Sequence, residues 1–316
     1  MGAMHRTAAL TGATGFVGRH ILDALLEAGW AVRALVRPER TLLPHPRLTP
    51  VVGDLSHAAS LAGLLEGADV VVHCAGLTKA RAGADYFAVN AAGTERLAST
   101  ALEHPGIRGF LLISSLAARE PNLSPYAASK RQAETELARV QARFPTIILR
   151  PPAIYGPGDR DIFQFFKQFQ AGFAVVPNVR GARFSLLYVA DLAEAVVRLA
   201  EVGEQPDGVM EIHDGHEGGY AWPEVAAAAE TVFGRGIRPY GVSRPVMLGL
   251  ARAMGLWSGL TGTEPVLSVD KVRELFHPDW VCWSNPTAEL TDWRPRTGLV
   301  EGLRLTADWY RQEGWL

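Results

Sequence analysis

Over its first half this chain alternates short, wholly apolar runs with segments of helical period. Thr7-Ala8-Ala9-Leu10 has the pattern of a buried strand. Val17, Ile21, Leu22 and Leu25 then recur at helical spacing, and Gly29 stops them. Ala31 to Val36 is a second strand, ended by Arg37-Pro38. After a loop from Pro44 to Pro50, Leu48 to Gly53 leads into a third strand ending at Asp54. Ser56 to Leu65 predicts a short helix with Ser56 as N-cap. Asp69 to Gly76 is a fourth strand running into a loop, and Asp85 to Glu103 is a long helix stopped by Pro105-Gly106. Phe110 to Ile113 is a fifth strand, ending in Ser114-Ser115. Ser124-Pro125 opens a helix to about Arg143, and Thr146 to Arg150 is a sixth strand, stopped by Pro151-Pro152. Strands that lack alternation and are separated by helices predict a parallel sheet covered on both faces, a doubly wound α/β architecture.

Beyond Pro152 the rhythm changes. Tyr155 to Asp159 is a turn-rich loop, Asp161 to Gln170 a Phe-rich helix, and Asp191 to Glu201 a clear amphipathic helix. Helical segments and loops then alternate, with tryptophan at 222, 257, 280, 283, 293, 309 and 315. The expected division is a sheet domain over 4–155, to which 185–204 returns, and a smaller, mostly helical C-terminal substrate lobe over 156–316, interleaved with it. Met1-Gly2-Ala3 ahead of Met4 has the look of an added remnant and is left out of this reading. In such sheets the ligand lies at the carboxyl ends of the strands.

Composition narrows the classes. The 316 residues are 48% hydrophobic and 20% charged, ordinary for a globular enzyme-sized chain. A formal net charge of −2 gives no general attraction to nucleic acid or membrane. No apolar run reaches the length of a membrane span, and no N-terminal signal segment is expected. The two cysteines, Cys74 and Cys282, are far apart in sequence, which argues against a disulfide scaffold and for a cytoplasmic setting.

The chemistry begins at Thr11-Gly12-Ala13-Thr14-Gly15-Phe16-Val17-Gly18, between the first strand and the first helix. Glycine there permits positive φ and close approach of a phosphate, and the helix N-terminus offers free N–H groups to a pyrophosphate. Tyr126 and Lys130 stand at i and i+4 on the helix after strand five and share one face. A nearby ammonium is expected to lower the phenol pKa from about 10. With a hydroxyl from Ser114 or Ser115 at the neighbouring strand end, these residues can move a hydroxyl proton while hydride passes to or from a nicotinamide.

Taken in order, the motifs resemble the extended short-chain dehydrogenase/reductases, the NAD(P)-dependent epimerase/dehydratase superfamily with its Rossmann fold. They are Gly12-x-x-Gly15-x-x-Gly18, Gly53-Asp54-Leu55, His73-Cys74-Ala75-Gly76, Asn90 with Gly93-Thr94, Ser114-Ser115 and Tyr126-x-x-x-Lys130. Arg150 to Asp159, Tyr188 to Leu192 and the tail from Trp293 to Tyr310 continue the match. The resemblance implies that Tyr126 is the acid/base, that Lys130 lowers its pKa and holds the nicotinamide ribose, and that Ser115 is the family hydroxyl, with Ser114 as fallback. It implies a cofactor cradle of Gly12, Thr14, Gly15, Phe16, Val17 and Gly18. Asp54 and Leu55 would flank the adenine, Ala75 and Gly76 would pass close to the cofactor, and Pro151, Ala153 and Ile154 would line the nicotinamide. Asn90 is implied as a backbone clamp and Asp191 as the group that orders the crossover into the second lobe. A homodimer through the helices near 85–103 and 124–143 is implied in the same way.

An NAD site of this kind usually has a carboxylate at the end of strand two. Here that end is Leu35-Val36-Arg37, with Arg33 and Arg40 nearby, so NADP(H) is expected over NAD(H), with Arg37 on the 2′-phosphate. Leu116-Ala117 stands where the family's dehydratases carry an Asp-Glu pair, which disfavours sugar dehydration. The tail resembles the 3β-hydroxysteroid dehydrogenase and dihydroflavonol reductase-like branch. The expected function is therefore interconversion of a secondary alcohol and a ketone on a small or apolar substrate. A nucleotide-sugar epimerase and a non-catalytic cofactor-binding protein are the alternatives. His213, His216 and Glu217 lie in a glycine-rich loop, and no metal site is expected there. The apolar stretch 244–260 is left open between pocket wall, core and membrane contact.

Overall fold

The structure is a computed structural model that describes residues 6–139, 143–202, 208–261, 267–283, 287 and 291–316. Six strands follow the apolar runs: β1 (Thr7–Thr11), β2 (Ala31–Val36), β3 (Leu48–Val52), β4 (Val70–His73), β5 (Gly109–Ile113) and β6 (Thr146–Arg150). Next come the short strands β7 (Ala153–Tyr155), β8 (Phe173–Pro177), β9 (Arg183–Phe184) and β10 (Leu186–Tyr188), and then β11 (Gly208–Glu211). Among the described residues the main sheet has seven parallel strands in the order β11-β6-β5-β4-β1-β2-β3. The order reverses between β1 and β4, which opens a crevice at their carboxyl ends. β4 to β6 are buried along their whole length, as a sheet covered on both faces requires. Pro50 is accommodated because β3 is an edge strand and pairs only with β2.

On one face α1 (Phe16–Glu27) and α7 (Val189–Glu201) close over Leu10, Ile21, Leu25, Leu192 and Val196. On the other, α2 (Ala58–Leu65), α4 (Ala92–Ala101) and α5 (Pro125–Ala138) bury Leu61, Leu64, Leu97, Phe110 and Leu137. The chain thus returns to the sheet twice after β7, first with α7 and again with β11.

Local geometry departs from expectation at a few points. Ser56 does not cap α2: its hydroxyl turns back to the Asp54 carboxylate at 2.5 Å, and the helix starts one residue later behind His57. The helix expected over 85–103 is built of three pieces: α3 (Gly83–Tyr86), a π-helical turn (Phe87–Ala91) and α4. Ala153 to Tyr155, on the edge of the expected loop, pairs with β10 as a strand. Ser124 does cap α5, accepting from the Ala127 N–H at 3.0 Å, with Pro125 in the first turn. This helix ends at Ala138, and residues 140–142 lie outside the described residues.

The second lobe packs α6 (Phe163–Gln170), α8 (Trp222–Phe233) and a C-terminal helix, Leu299–Gln312, around Phe166, Phe169 and Tyr310. Beside it, β12 (Arg238–Val242) leads into α9 (Arg244–Thr261), which rests on α10 (Val269–Leu275). The C-terminal helix is α11. Asp191 ties the lobes as expected, its carboxylate accepting from Thr297 N–H at 2.9 Å and from Thr297 Oγ1 at 3.2 Å. Tyr310 donates to the Asp159 carbonyl at 2.6 Å.

Gly18 sets how closely α1 lies on the sheet. A methyl group there would stand 2.0 Å from the Gly12 carbonyl oxygen, a backbone atom that cannot swing aside. Gly18→Ala is expected to lower stability by about 1–3 kcal/mol or more. Urea unfolding followed by circular dichroism tests this, and an unchanged midpoint would refute the close packing.

Candidate active site

The glycine turn is where β1 meets the loop after β4. Gly12 has φ of +80°, and a Cβ on it would lie 2.7 Å from Ala75 N and 2.8 Å from the Cys74 carbonyl carbon. Gly15 closes the turn by donating to Gly12 O at 2.9 Å and stands at the N-cap of α1. It brings no capping side chain, and the first turn of α1 holds no acid. Its N–H groups and the positive end of the helix dipole are left for an anion. Thr14, Phe16 and Val17 are half-buried around this turn. The cradle fits a dinucleotide pyrophosphate: a backbone anion site, a bare glycine rim and no competing carboxylate.

A buried polar chain fixes the second wall. Ala75 N–H donates to Thr11 Oγ1 at 3.1 Å, and Thr11 Oγ1 lies 2.6 Å from His73 Nδ1. His73 Nε2 is 3.0 Å from Thr94 Oγ1, which itself donates to the Asn90 carbonyl at 2.6 Å. Thr94 has spent its proton, so His73 must donate from Nε2, and Nδ1 accepts from Thr11. Burial pushes His73 down to about 3, so the ring is neutral in ordinary buffers. Asn90, on the π-helical turn, clamps the loop as expected, accepting from Leu77 N–H at 2.7 Å and donating to Leu77 O at 3.1 Å. Its amide also donates to Ser129 Oγ, and Ser129 donates to the Tyr126 carbonyl. The clamp therefore joins the loop after β4 to α5.

Tyr126, half-buried, and Lys130, buried, stand one turn apart on the same side of α5. Lys130 is 6% exposed, and its Nζ donates to Ile113 O at the end of β5, 2.9 Å away. A Cβ on Gly76 would lie 3.3 Å from this Nζ, so ammonium and cofactor loop are in contact. Burial pushes Lys130 down. The Tyr126 phenol hydrogen-bonds Ser115 and stands edge-on to Tyr86 at 5.9 Å between ring centres. Burial pushes the phenol up to about 12; the Ser115 hydrogen bond opposes this, and the charges of Glu274, Tyr86 and Asp161 add to it. The net shift is upward, against the direction expected from Lys130 alone. Desolvation dominates, and the ammonium is held against a β5 carbonyl.

The two serines separate. Ser115 faces Tyr126 and accepts from Ala117 N–H at 3.2 Å. Ser114 is turned away: it donates to Glu134 Oε1 at 2.6 Å, inside a bidentate pair between Glu134 and Arg150 at 2.8 and 2.6 Å. Its fallback role gives way to a structural one. Glu134 and Arg150 carry a buried pair that the motif reading missed. Glu134 lies four residues after Lys130 on the same face of α5, which was the available signal.

At the end of β2, Arg37 is exposed and pairs with Glu39 at 3.2 Å, while Arg40 is also exposed. Arg33 does not join them: it caps the end of α2 through Gly63 O at 2.6 Å and Leu64 O at 3.2 Å. Asp54 is engaged by Ser56 and His57, and the Ser56 hydrogen bonds bring its carboxyl down to about 2. Leu55 is buried against Gly93, where a Cβ would meet it at 2.9 Å. Pro151 O accepts from Leu116 N–H at 2.9 Å, which holds the β6 end against the Ser115 turn. Ala153 is exposed, and Ile154 packs on the core under α1 and α7. His213 Nδ1 accepts from Gly215 N–H, and His216 stacks on Tyr220, so neither ring points to a shared centre with Glu217.

The NAD dependent epimerase/dehydratase family matches residues 8–212, well over half of the chain. The chain belongs to this family. It is an NAD(P)-dependent oxidoreductase of the extended short-chain dehydrogenase/reductase superfamily. It is 41% identical over 315 residues to a ceramide reductase of Caulobacter vibrioides, covering 98% of this chain and 95% of that one. It is 29% identical over 228 residues to a 3 beta-hydroxysteroid dehydrogenase/Delta 5-->4-isomerase of Mycobacterium tuberculosis, covering 63% and 61%. Among solved structures, MoeE5 in complex with UDP-glucuronic acid and NAD shares the fold, with a TM-score of 0.74 and 22% identity over 98% of this chain and 99% of that one.

Neutral, buried His73 ties folding to pH. Between about pH 3 and 6.5 the unfolded chain binds a proton at this ring that the folded chain does not. Stability from this group is complete above pH 6.5 and falls as the pH drops toward 3, by at most about 1.4 kcal/mol per pH unit. Urea unfolding of the wild type and of His73→Gln at pH 4.5 and 7.5 reads the difference. The variant is expected to lose less stability on acidification; equal losses would exclude His73 as the source.

Proposed function

We propose that this protein is an NADP(H)-dependent reductase that interconverts a ketone and a secondary alcohol on an apolar lipid of the ceramide class. The observation that carries the reading is the placement of the Tyr126 phenol beside Ser115, one helical turn from the buried Lys130 on α5. A bound nicotinamide supplies or accepts the hydride. The chain's own residues handle the oxygen. The Ser115 and Tyr126 hydroxyls both donate to a ketone oxygen and polarise it. As that oxygen becomes an alkoxide, a far stronger base than phenolate, the Tyr126 proton moves to it. Lys130, on the same helix face, balances the phenolate that remains. A phenol kept protonated by burial favours the reducing direction.

The substrate class rests on the 41% identity to the ceramide reductase across nearly the whole of both chains. Preference for NADP(H) rests on Arg37 and Arg40 at the end of β2 with no acid in that place; Glu39 must release Arg37 to a 2′-phosphate. The free thiols Cys74 and Cys282 fit a reducing cytoplasm.

Purified protein with NADPH and the ketone form of a ceramide is expected to consume absorbance at the nicotinamide band, and no consumption would overturn the reading. Tyr126→Phe should lower the rate about 10²–10⁴-fold while retaining cofactor binding. With the acid form required, reduction should stay level through neutral pH and fall only in alkali, whereas alcohol oxidation should climb there. A reduction rate that rises with pH would remove Tyr126 as the acid. Arg37→Ala should weaken NADPH binding about tenfold or more and leave NADH binding unchanged. Equal effects on both, by calorimetry, would place the 2′-phosphate elsewhere.

A further inference from the structure

We propose that the exposed face of α9 docks this enzyme on an anionic lipid bilayer. The inference goes beyond the proposed reaction. Val246, Leu250, Ala253 and Trp257 fall at i, i+4, i+7 and i+11, which aligns them along one side of the helix for about 17 Å. Val246 is 55% exposed, Leu250 55% and Trp257 67%, and Leu256 beside them is 75% exposed. The opposite side of α9 is the one that packs, through Met247 and Ala251 against Val272 of α10. Scattered apolar residues on a surface are ordinary; three large ones in line along one helix, with a fourth beside them, are not.

Charge names the occupant. Between Glu230 and Glu264 the sequence holds no acid, while Arg235, Arg238, Arg244 and Arg252 all lie in that interval and are exposed, in a chain whose formal net charge is −2. Arg244 and Arg252 are on α9 itself. Tyr240, exposed on β12, adds a second aromatic residue of the kind that settles at headgroup depth. The acids of the adjoining α10 are engaged: Asp270 with Arg273 at 3.1 Å, and Glu274 with Ser124 at 2.5 Å and Lys271 at 3.2 Å. An apolar stripe on one side of a helix whose only charges are arginines on the other side is the pattern of a helix lying in the plane of an anionic interface. No helix among the described residues is long and apolar enough to cross a membrane, so α9 lies on the bilayer rather than through it. A two-fold contact with a second copy would bring two faces of the same basic charge together. The surface also lies close to the chemistry, because α10, on which α9 rests, holds through Glu274 the cap of α5 two residues before Tyr126.

The test is flotation of the full-length protein with vesicles of phosphatidylcholine alone or with 30 mol% phosphatidylglycerol, without cofactor or lipid ketone, so failure of the reductase reading would leave the outcome untouched. The wild type is expected to float with the anionic vesicles and to be released by about 0.5 M salt. Leu250→Gln with Trp257→Gln should weaken binding about tenfold or more. Arg244→Ala and Arg252→Ala should each weaken it about fivefold. All variants should keep the wild-type thermal transition and cofactor affinity. Failure of the wild type to float, or unchanged flotation of the Leu250/Trp257 variant, would overturn the proposal. A dimer that this variant converts to a monomer, with no vesicle binding by the wild type, would assign the face to a second copy and overturn it as well.

Discussion

The site depends on one close approach. At Gly12 the end of β1 presses against the backbone of Cys74 and Ala75 with no room for a methyl group. That contact brings the start of α1 and the loop after β4 together at the reversal of strand order, so the glycine turn and that loop form one surface. Were the two strand ends pushed apart by a side chain, Thr11 could not hold both Ala75 and His73, and the line of hydrogen bonds to Thr94 and Asn90 would lose its first member.

What surrounds this contact is buried and polar, and it works because nearly every group is answered by a partner. Lys130 donates to Ile113, Asn90 grips Leu77, Ser129 binds back to α5, and Ser114 sits in the Glu134–Arg150 pair. In a low-dielectric interior such bonds are strong when made and costly when missing. The side chains around Tyr126 are therefore held in place by the fold itself, and the same burial pushes the phenol up.

Much of this is legible in the sequence, and the division follows physical lines. The strand order and the glycine turn are readable because they rest on local pattern and on backbone geometry that few residues allow. Tyr126 and Lys130 are readable because a helix puts i and i+4 together. Ser114 and Ser115 are not separable in the same way: neighbours on an extended chain point to opposite sides, and packing alone decides which side holds Glu134 and which holds Tyr126. Arg33 and Arg37 look equivalent along one strand until α2 supplies carbonyls for the first. β11 escapes because Gly208-Val209-Met210-Glu211 is too short and mixed to announce a strand. The phenol's acidity depends on burial, which no spacing reveals.

The π-helical turn at Phe87–Ala91 puts an unusual demand on this stretch of chain. Such a turn holds one residue more than the α-helical turn it replaces. Removing one residue from Phe87–Ala91 would let a regular helix run from Gly83 to Ala101 with its flanks still in phase, but it would take away the widened turn that carries Asn90 to Leu77. In this segment the count of residues is as binding as their identity, and a deletion that improved local helix regularity would dismantle the site.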